Sequence, residues 1–292
     1  MSPLITPTAL SQKLELQGKA SGNAVVVLDC RFDLAAPDSG LAQYREGHIP
    51  GAHYAHLDRD LSGPLSEGRG RHPLPEPEAL AERLGRWGIT ATTSVVCYDG
   101  AGGGIAARAW WLLRWLGHRD VSVLDGGWSA WCANALPVET SALQPTPAAA
   151  YPWTQQALTV ESDEVLDNID SANFLLVDAR AAARFRGAEE PIDPVAGHVP
   201  GAINRPFTDN LTADGCFKNP EALQAEWRAL LGGKPCVAMC GSGVTACHHL
   251  LALEIAGFTE TLGASHGVPK VRLYPGSWSE WIRDPKRPIA RD

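Results

Sequence analysis

The chain has 292 residues, a length that suggests two domains; 45% of the residues are apolar and 20% are charged. This is the balance of a soluble globular protein with enough apolar material for sizeable cores. A formal net charge of −8, without a basic run, argues against nucleic acid or an anionic membrane as a partner, although a local cationic pocket could still bind a small anion.

The N-terminal sequence MSPLITPTALSQKLELQGKA lacks the charged segment and apolar core of a signal peptide. No apolar run approaches the roughly 18 residues that a membrane span needs. The chain has seven cysteines, an odd number, which without an export signal is typical of free thiols in a reducing compartment. We therefore expect a cytoplasmic protein.

Short apolar runs, which predict buried strands, alternate along the chain with amphipathic stretches, which predict helices. The predicted strands are Val25–Leu28, Val95–Tyr98, Val121–Leu124, Phe174–Val177, Cys236–Met239 and Val271–Leu273. In the helical stretch NPEALQAEWRALLGG, Asn219 suits the N-cap, Pro220 the first turn and Gly232 the C-cap. The alternation predicts α/β domains with mostly parallel sheets, in which ligands bind outside the carboxyl ends of the strands.

Three pairs of sequences recur at an offset of 149 or 150 residues: AVVVLDCRF and NFLLVDARA, HIPGA and HVPGA, and GGWSAW and GSWSEW. A period this long means two copies of a whole domain rather than a solenoid. The sequence LPVETSALQPTPAAAYPW between the copies is typical of a linker. We predict a first domain at residues 1–138, a linker at 139–153 and a second domain at 154–292. Trp128, Trp131, Trp278 and Trp281 recur in both copies and are interpreted as core residues.

The sequence CGSGVTACHH starts at Cys240, directly after the predicted strand Cys236–Met239, and runs into a helical pattern. Gly241 and Gly243 allow backbone angles that a side chain would forbid, so the turn can point several backbone N–H groups at its own centre. The helix N-terminus adds partial positive charge from the same direction. Both effects favour a thiolate, which is the nucleophilic form of cysteine, and would stabilise a persulfide anion.

The seven cysteines also admit other interpretations. Six are interpreted as small apolar side chains: Cys30, Cys97, Cys132, Cys216, Cys236 and Cys247. A metal site could be formed by Cys236, Cys240, Cys247 and His248, but their spacing differs from that of zinc sites. A phosphatase of the C-x₅-R type would need an arginine where this chain has Ala246.

Together, the DCR/DAR pair, the HIPGA/HVPGA pair and the CGSGVTA loop resemble the two-domain rhodanese-like sulfurtransferases along essentially the whole chain. The resemblance implies an α/β tandem repeat of two rhodanese-like domains, each a mostly parallel sheet flanked by helices, without metal or organic cofactor. The loop looks like that of the 3-mercaptopyruvate branch, because thiosulfate-using relatives carry basic residues where Gly241 and Ser242 are neutral.

By this resemblance, Cys240 takes the sulfur of 3-mercaptopyruvate, releases pyruvate and becomes a persulfide, which passes the sulfur to a small thiol, cyanide or a thioredoxin-like protein. The loop amides of Gly241, Gly243, Val244 and Thr245 would hold the persulfide. A thiosulfate:cyanide sulfurtransferase is the alternative enzyme. A non-enzymatic persulfide carrier or redox module is the alternative from another class.

A guanidinium is the natural partner of the donor's carboxylate. The sequence ARFRG resembles the family's substrate-binding segment and implies Arg184 as the carboxylate binder, although an exposed helix arginine is the simpler interpretation. The family commonly has a second arginine where this chain has Ile192. Arg186 or Arg205 could substitute for it.

The resemblance also implies a Ser–His–Asp arrangement that assists proton transfer, formed by Ser242, His48 and Asp38. His48 has an equally good structural explanation, since its counterpart His198 lies in the same H-x-P-G-A sequence of the other copy. In the first copy, Asp99 occupies the place of the cysteine. A carboxylate cannot attack sulfur in the same way, so we expect the first domain to be catalytically inactive.

Overall fold

The computed structural model describes residues 2–17, 24–100, 102–141, 143, 149–258 and 271–292. The chain forms two compact α/β units. The first consists of Met1–Gly63, Pro75–Ala157 and Ala213–Phe217, and the second of Pro64–Leu74, Leu158–Thr212 and Lys218–Asp292. Among the described residues, no helix is long and apolar enough to cross a membrane.

The first unit has a parallel sheet with the strand order β1-β5-β4-β2-β3. Its strands are β1 (Leu4–Ile5), β2 (Val25–Asp29), β3 (Ala52–Tyr54), β4 (Ser94–Tyr98) and β5 (Val121–Leu124). Its helices are α1 (Pro7–Gln17), α2 (Ser39–Glu46), α3 (Leu57–Asp60), α4 (Pro77–Arg86), α5 (Ala106–Trp115) and α6 (Gly127–Ala133).

The second unit has a parallel sheet with the order β7-β6-β8-β9. Its strands are β6 (Leu175–Asp178), β7 (Ile203–Asn204), β8 (Cys236–Met239) and β9 (Val271–Leu273). Its helices are α7 (Ser162–Ser171), α8 (Ala182–Arg186), a 3₁₀ turn (Phe207–Asn210), α9 (Pro220–Leu231), α10 (Ala246–Ile255) and α11 (Ser277–Trp281).

The two sheets repeat one topology, because the order β5-β4-β2-β3 of the first corresponds to β9-β8-β6-β7 of the second. The predicted α/β class and tandem repeat are confirmed, and all six predicted strands are present to within one residue at each end. The sequence did not predict β1, β3 and β7, which are short edge strands whose residues, apart from Ala52, are only half-buried, so they show no buried apolar run. The predicted limits 1–138 and 154–292 stay predictions.

The paired sequence motifs have a structural role in both units. In each, the arginine of the D-x-R sequence binds the aspartate beside it and the carbonyl oxygen of the glycine that precedes H-x-P-G-A. These residues are Asp29, Arg31 and Gly47 in the first unit, and Asp178, Arg180 and Gly197 in the second. The motif therefore ties the end of a central strand to the turn that starts the edge strand.

The tryptophans and helix caps agree with the sequence prediction. Trp131 lies in the core of the first unit, with Trp128 packed against it, and both Trp278 and Trp281 lie in the core of the second. The side chain of Asn219 caps α9 by accepting the N–H of Ala222 at 2.8 Å.

Two short segments belong to the unit formed mainly by the other repeat. The segment Pro64–Leu74 is part of the second unit, where the N–H of Arg71 donates to Ser279 Oγ at 3.0 Å. The segment Ala213–Phe217 is part of the first unit, where the N–H of Phe217 donates to Asp125 at 2.9 Å. Each segment precedes a corresponding helix, α4 or α9, so the exchange is reciprocal.

Candidate active site

Cys240 directly follows β8, an inner strand of the second sheet, and is only 2% exposed. Its backbone N–H donates to Ser277 Oγ at 3.1 Å, and that hydroxyl donates to the carbonyl oxygen of Tyr274 at 2.9 Å. Ser277 has a left-handed φ of 53°, which is unusual for a residue other than glycine. This strained serine holds the backbone of Cys240 in place through the hydrogen bond from its N–H.

The loop from Cys240 to Thr245 curves tightly because of Gly243. Its φ is +76°, and a Cβ at this position would lie 2.3 Å from the carbonyl oxygen of Pro275, so only glycine fits. Within the described ranges, the backbone N–H groups of Gly241, Ser242, Val244 and Thr245 have no acceptor. The helix α10 begins at Ala246 and adds the partial positive charge of its N-terminus.

The corresponding loop of the first unit shows what such backbone curvature binds. The carboxylate of Asp99, which follows β4, accepts the N–H groups of Gly103 at 3.0 Å, Ile105 at 2.8 Å and Ala106 at 3.0 Å. Hence a loop of this kind surrounds an anion with backbone donors. In the second unit Cys240 takes the place of that carboxylate.

Two guanidinium groups face the loop at Gly241. A Cβ on this glycine would lie 3.0 Å from Nη2 of Arg71 and 3.5 Å from Nη1 of Arg184. Arg184, named from the family resemblance, lies on α8, whereas Arg71 comes from the segment Pro64–Leu74. The absence of a side chain at Gly241 is what lets both cations approach the loop.

The two arginines named from the sequence as substitutes lie elsewhere. The side chain of Arg186 is exposed, and in the described part of the chain it makes no hydrogen bond or ion pair. Arg205 pairs with Glu226 at 2.6 Å and stacks over Trp227. The exposed Ile192 offers no charge. Arg71 is therefore the second arginine at this loop, and Arg186 and Arg205 are not.

Two buried carboxylates hold these cations. Glu190 accepts from Nε and Nη2 of Arg184, at 3.0 Å and 2.7 Å. Burial opposes ionisation of Glu190, but the hydrogen bonds from Arg184 and from two backbone N–H groups hold its pKa below the usual value. Asp193 accepts from both Arg71 and Arg184. Burial raises the pKa of Asp193, an effect that the charge of Arg71 opposes.

Ser242 is paired with a different histidine from the one expected. Its Oγ lies 2.7 Å from Nδ1 of His72, and both residues are buried. Like Arg71, His72 belongs to the segment Pro64–Leu74 of the second unit. The hydrogen bond that the resemblance implied for Ser242 with His48 is thus made with His72.

His48 and Asp38 make contacts of another kind. Nδ1 of His48 lies 2.7 Å from the carbonyl oxygen of Tyr44, on whose ring it stacks at 3.9 Å. Its counterpart His198 contacts Phe185 in the same two ways. Asp38 is 82% exposed and pairs with Arg59. The Ser242–His48–Asp38 relay stays a prediction: within the first unit, His48 makes the same contacts as its counterpart, and Asp38 is a surface residue.

The sequence contains a signal for the two residues that were missed. The offset between the copies is 150 residues at H-x-P-G-A but only 143 at the next shared sequence, PEAL. The first copy thus has seven additional residues there, in the stretch that contains Arg71 and His72. An insertion rich in glycine and basic residues, placed in one copy only, indicates a function that the other copy lacks.

The described residues contain no cluster of histidine, cysteine, aspartate or glutamate that could hold a metal ion. His248 and His249 instead face Nδ2 of Asn210, and burial lowers the pKa of His249 to about 3. All seven cysteines are free thiols. Of the six interpreted as small apolar side chains, Cys132 is exposed and Cys216 is half-buried; the other four, Cys30, Cys97, Cys236 and Cys247, are buried.

Residues 12–134 and 161–284 each match the rhodanese-like domain. The chain belongs to the rhodanese family. Among its relatives, the "Probable 3-mercaptopyruvate sulfurtransferase" of Pseudomonas aeruginosa is 50% identical over 283 residues, which cover 94% of this chain and 95% of that protein. The thiosulfate sulfurtransferase of Bos taurus is 36% identical, over 89% of this chain and 86% of the relative.

The fold of this rhodanese protein is also that of solved structures. The crystal structure of a 3-mercaptopyruvate sulfotransferase from Escherichia coli superposes with a TM-score of 0.78 at 31% sequence identity. The match covers 96% of this chain and the whole of the other. The tandem rhodanese architecture predicted from the sequence is thereby confirmed.

Proposed function

We propose that this protein is a sulfurtransferase that moves a sulfur atom from 3-mercaptopyruvate, through a persulfide on Cys240, to a thiol or cyanide acceptor. The observation that carries the proposal is the exchange of Asp99 for Cys240 in two equivalent loops. Where the first loop surrounds its own carboxylate, the second presents a sulfur and backbone N–H groups that have no acceptor among the described residues. A thiolate or a persulfide anion fits that position.

In the first half-reaction, the Cys240 thiolate attacks the sulfur of the donor. An S–S bond forms and the C–S bond breaks, and its electron pair leaves on carbon as the enolate of pyruvate. The donor's thiol proton is released, and the enolate takes up a proton to give pyruvate. In the second half-reaction, an acceptor thiolate or cyanide attacks the outer sulfur and restores the Cys240 thiolate. This is covalent catalysis by double displacement.

The Ser242–His72 pair supports the proton transfers. With 2.7 Å between the hydroxyl oxygen and the ring nitrogen, a proton can pass between the two groups. Since Ser242 is two residues from the nucleophile, its hydroxyl is placed to take the proton from the donor's thiol or to return one to the enolate.

The preference for 3-mercaptopyruvate is supported by the charges around the loop. Gly241 and Ser242 are neutral, so the cation for the donor comes from outside the loop. Arg184 faces Gly241 with Nη1 and is held in that orientation by Glu190. A guanidinium fixed in this way is suited to a carboxylate.

We further propose that the first rhodanese domain transfers no sulfur, because Asp99 stands in the position of the nucleophile. The acceptor is a small thiol, cyanide or a thioredoxin-like protein, and neither nucleic acid nor membrane takes part. The seven free cysteines support a reducing compartment, the cytoplasm.

The test is intact-mass measurement of the protein after incubation with 3-mercaptopyruvate or with thiosulfate, followed by steady-state kinetics with each donor. We expect the mass of one added sulfur atom, the release of pyruvate, and a higher kcat/KM with 3-mercaptopyruvate. Cys240→Ser should abolish both the added mass and turnover, whereas Cys132→Ser, at an exposed thiol, should change neither.

A higher kcat/KM with thiosulfate would make the protein a thiosulfate sulfurtransferase, the name of some of its relatives. Sulfur loading from a partner protein without pyruvate formation would indicate a persulfide carrier. Full turnover in Cys240→Ser would refute the nucleophile itself.

A further inference from the structure

Arg71 lies at the cysteine loop together with Arg184, although it belongs neither to a D-x-R motif nor to the loop itself. We infer that Arg71 is a second binding group for the donor's carboxylate, so that the two arginines bind the carboxylate together beside Gly241. The inference rests on the proposed function and adds to it the residue that completes donor recognition.

Arg71 and Arg184 lie next to the same glycine, Gly241. The point where a Cβ of Gly241 would lie is 3.0 Å from Nη2 of Arg71, closer than either terminal nitrogen of Arg184 at 3.5 and 3.6 Å. The side chains of Arg71 and Arg184 are 22% and 17% exposed, so each is largely buried but keeps an accessible edge. A small anion next to Cys240 would therefore meet both.

Hydrogen bonds hold both arginines at the loop. Nη1 of Arg71 donates to Oδ1 of Asp193, and Nη2 of Arg184 donates to Oδ2 of the same carboxylate. The backbone N–H of Arg71 donates to Ser279 Oγ. Gly70 allows the close approach, since a Cβ there would lie 2.6 Å from the carbonyl oxygen of Gly276. Both guanidinium groups are thus held in place before a ligand arrives, which reduces the entropy cost of binding.

Arg71 has N–H donors that no acceptor among the described residues uses. A guanidinium carries five N–H donors, and the side-chain hydrogen bond of Arg71 in the described structure uses only Nη1. Its Nε is buried and lacks an acceptor among the described residues. A buried donor without an acceptor is unfavourable, and an anion beside the guanidinium would satisfy it.

A purely structural role is the competing explanation. Arg71 could serve only to attach the segment Pro64–Leu74 to Asp193. In that case its removal would lower stability but would not distinguish a donor with a carboxylate from one without.

The experiment measures binding without turnover. In the Cys240→Ser protein, the Kd is measured by calorimetry for 3-mercaptopyruvate and for mercaptoacetone, which has the same thiol and ketone but no carboxylate. The measurement is repeated after adding Arg71→Ala or, as the matched control, Arg69→Ala. Arg69 lies in the same segment but is 57% exposed and pairs loosely with Glu161 at 3.6 Å.

We expect Arg71→Ala to raise the Kd for 3-mercaptopyruvate at least tenfold, to leave the Kd for mercaptoacetone unchanged, and to differ from Arg69→Ala in this respect. An equal effect on both ligands, or none on 3-mercaptopyruvate, would overturn the inference. If Arg71→Ala does not fold, Arg71→Gln carries the same test, because its amide can still donate to Asp193. Because Cys240 is absent, this result does not depend on whether the wild-type protein turns over.

Discussion

The hydroxyl oxygen of Ser242 lies 2.7 Å from Nδ1 of His72, although the two residues are 170 positions apart in the chain. Both are buried, and both belong to the second unit, in which Cys240 also lies. The pair brings an imidazole to within hydrogen-bond reach of the loop Cys240–Thr245, whose own sequence contains no histidine.

If the pair transfers protons, His72→Ala should lower kcat by about 10²-fold, the lower end of the range for general acid–base catalysis, with a smaller change in KM. Ser242→Ala should have a similar effect. The double variant should be little worse than either single one, because both remove the same hydrogen bond. Steady-state kinetics across a pH series check this. Each variant should lack one limb of the profile of kcat against pH that the wild type shows.

His48→Ala is the control for that experiment. The ring of His48 contacts Tyr44 and its carbonyl oxygen, so its loss should lower the thermal unfolding temperature and leave the kcat of the folded protein unchanged. A fall in kcat without a fall in the unfolding temperature would support the Ser242–His48–Asp38 relay that the resemblance implied.

Arg184→Ala should raise the KM for 3-mercaptopyruvate by about 10- to 100-fold and change kcat little, because a hydrogen-bonded charge pair with the donor is lost. Arg186→Ala, two residues away with an exposed side chain, should behave like the wild type. An unchanged KM in Arg184→Ala would show that this guanidinium does not hold the donor.

Asp99→Ala should leave sulfur transfer within about twofold of the wild type, but should lower the free energy of unfolding by about 1–3 kcal/mol, because three backbone N–H groups lose their acceptor. Asp99→Asn keeps one acceptor oxygen and should be less destabilised. Thermal unfolding and activity are measured on the same samples; a large loss of activity in a folded variant would give the first domain a chemical role.

Glu190 provides a prediction about pH. Its pKa is lowered in the folded protein, so its contribution to stability is present above the ordinary pKa of a glutamate, about 4.3, and disappears as the pH falls through the folded value. Glu190→Gln should therefore unfold at a lower urea concentration than the wild type at neutral pH. The two midpoints should converge at acidic pH, and a constant gap would contradict this linkage.

The sequence predicted the parts of the site that depend on local structure. Cys240 follows a strand of four apolar residues and precedes a helical pattern, and this local information is enough to place it at the carboxyl edge of a sheet. Arg184 was found through its segment, and Gly243 through the turn that only glycine can make. Each of these residues is defined by its neighbours in the chain.

The remaining parts depend on tertiary contacts that leave no periodic pattern. Arg71 and His72 lie in a segment without helix or strand, and nothing local indicates which unit it joins. The roles expected of His48 and Asp38 stay predictions, because a shared turn sequence does not reveal what a side chain faces. The seven-residue difference between the copies was the available signal.

The placement of Pro64–Leu74 in the second unit also bears on how a duplicated protein can evolve. A gene reduced to residues 154–292 would still encode the sheet and the cysteine, but it would lack the arginine and the histidine beside them. The first copy therefore cannot be discarded without removing two residues, Arg71 and His72, that belong to the second unit.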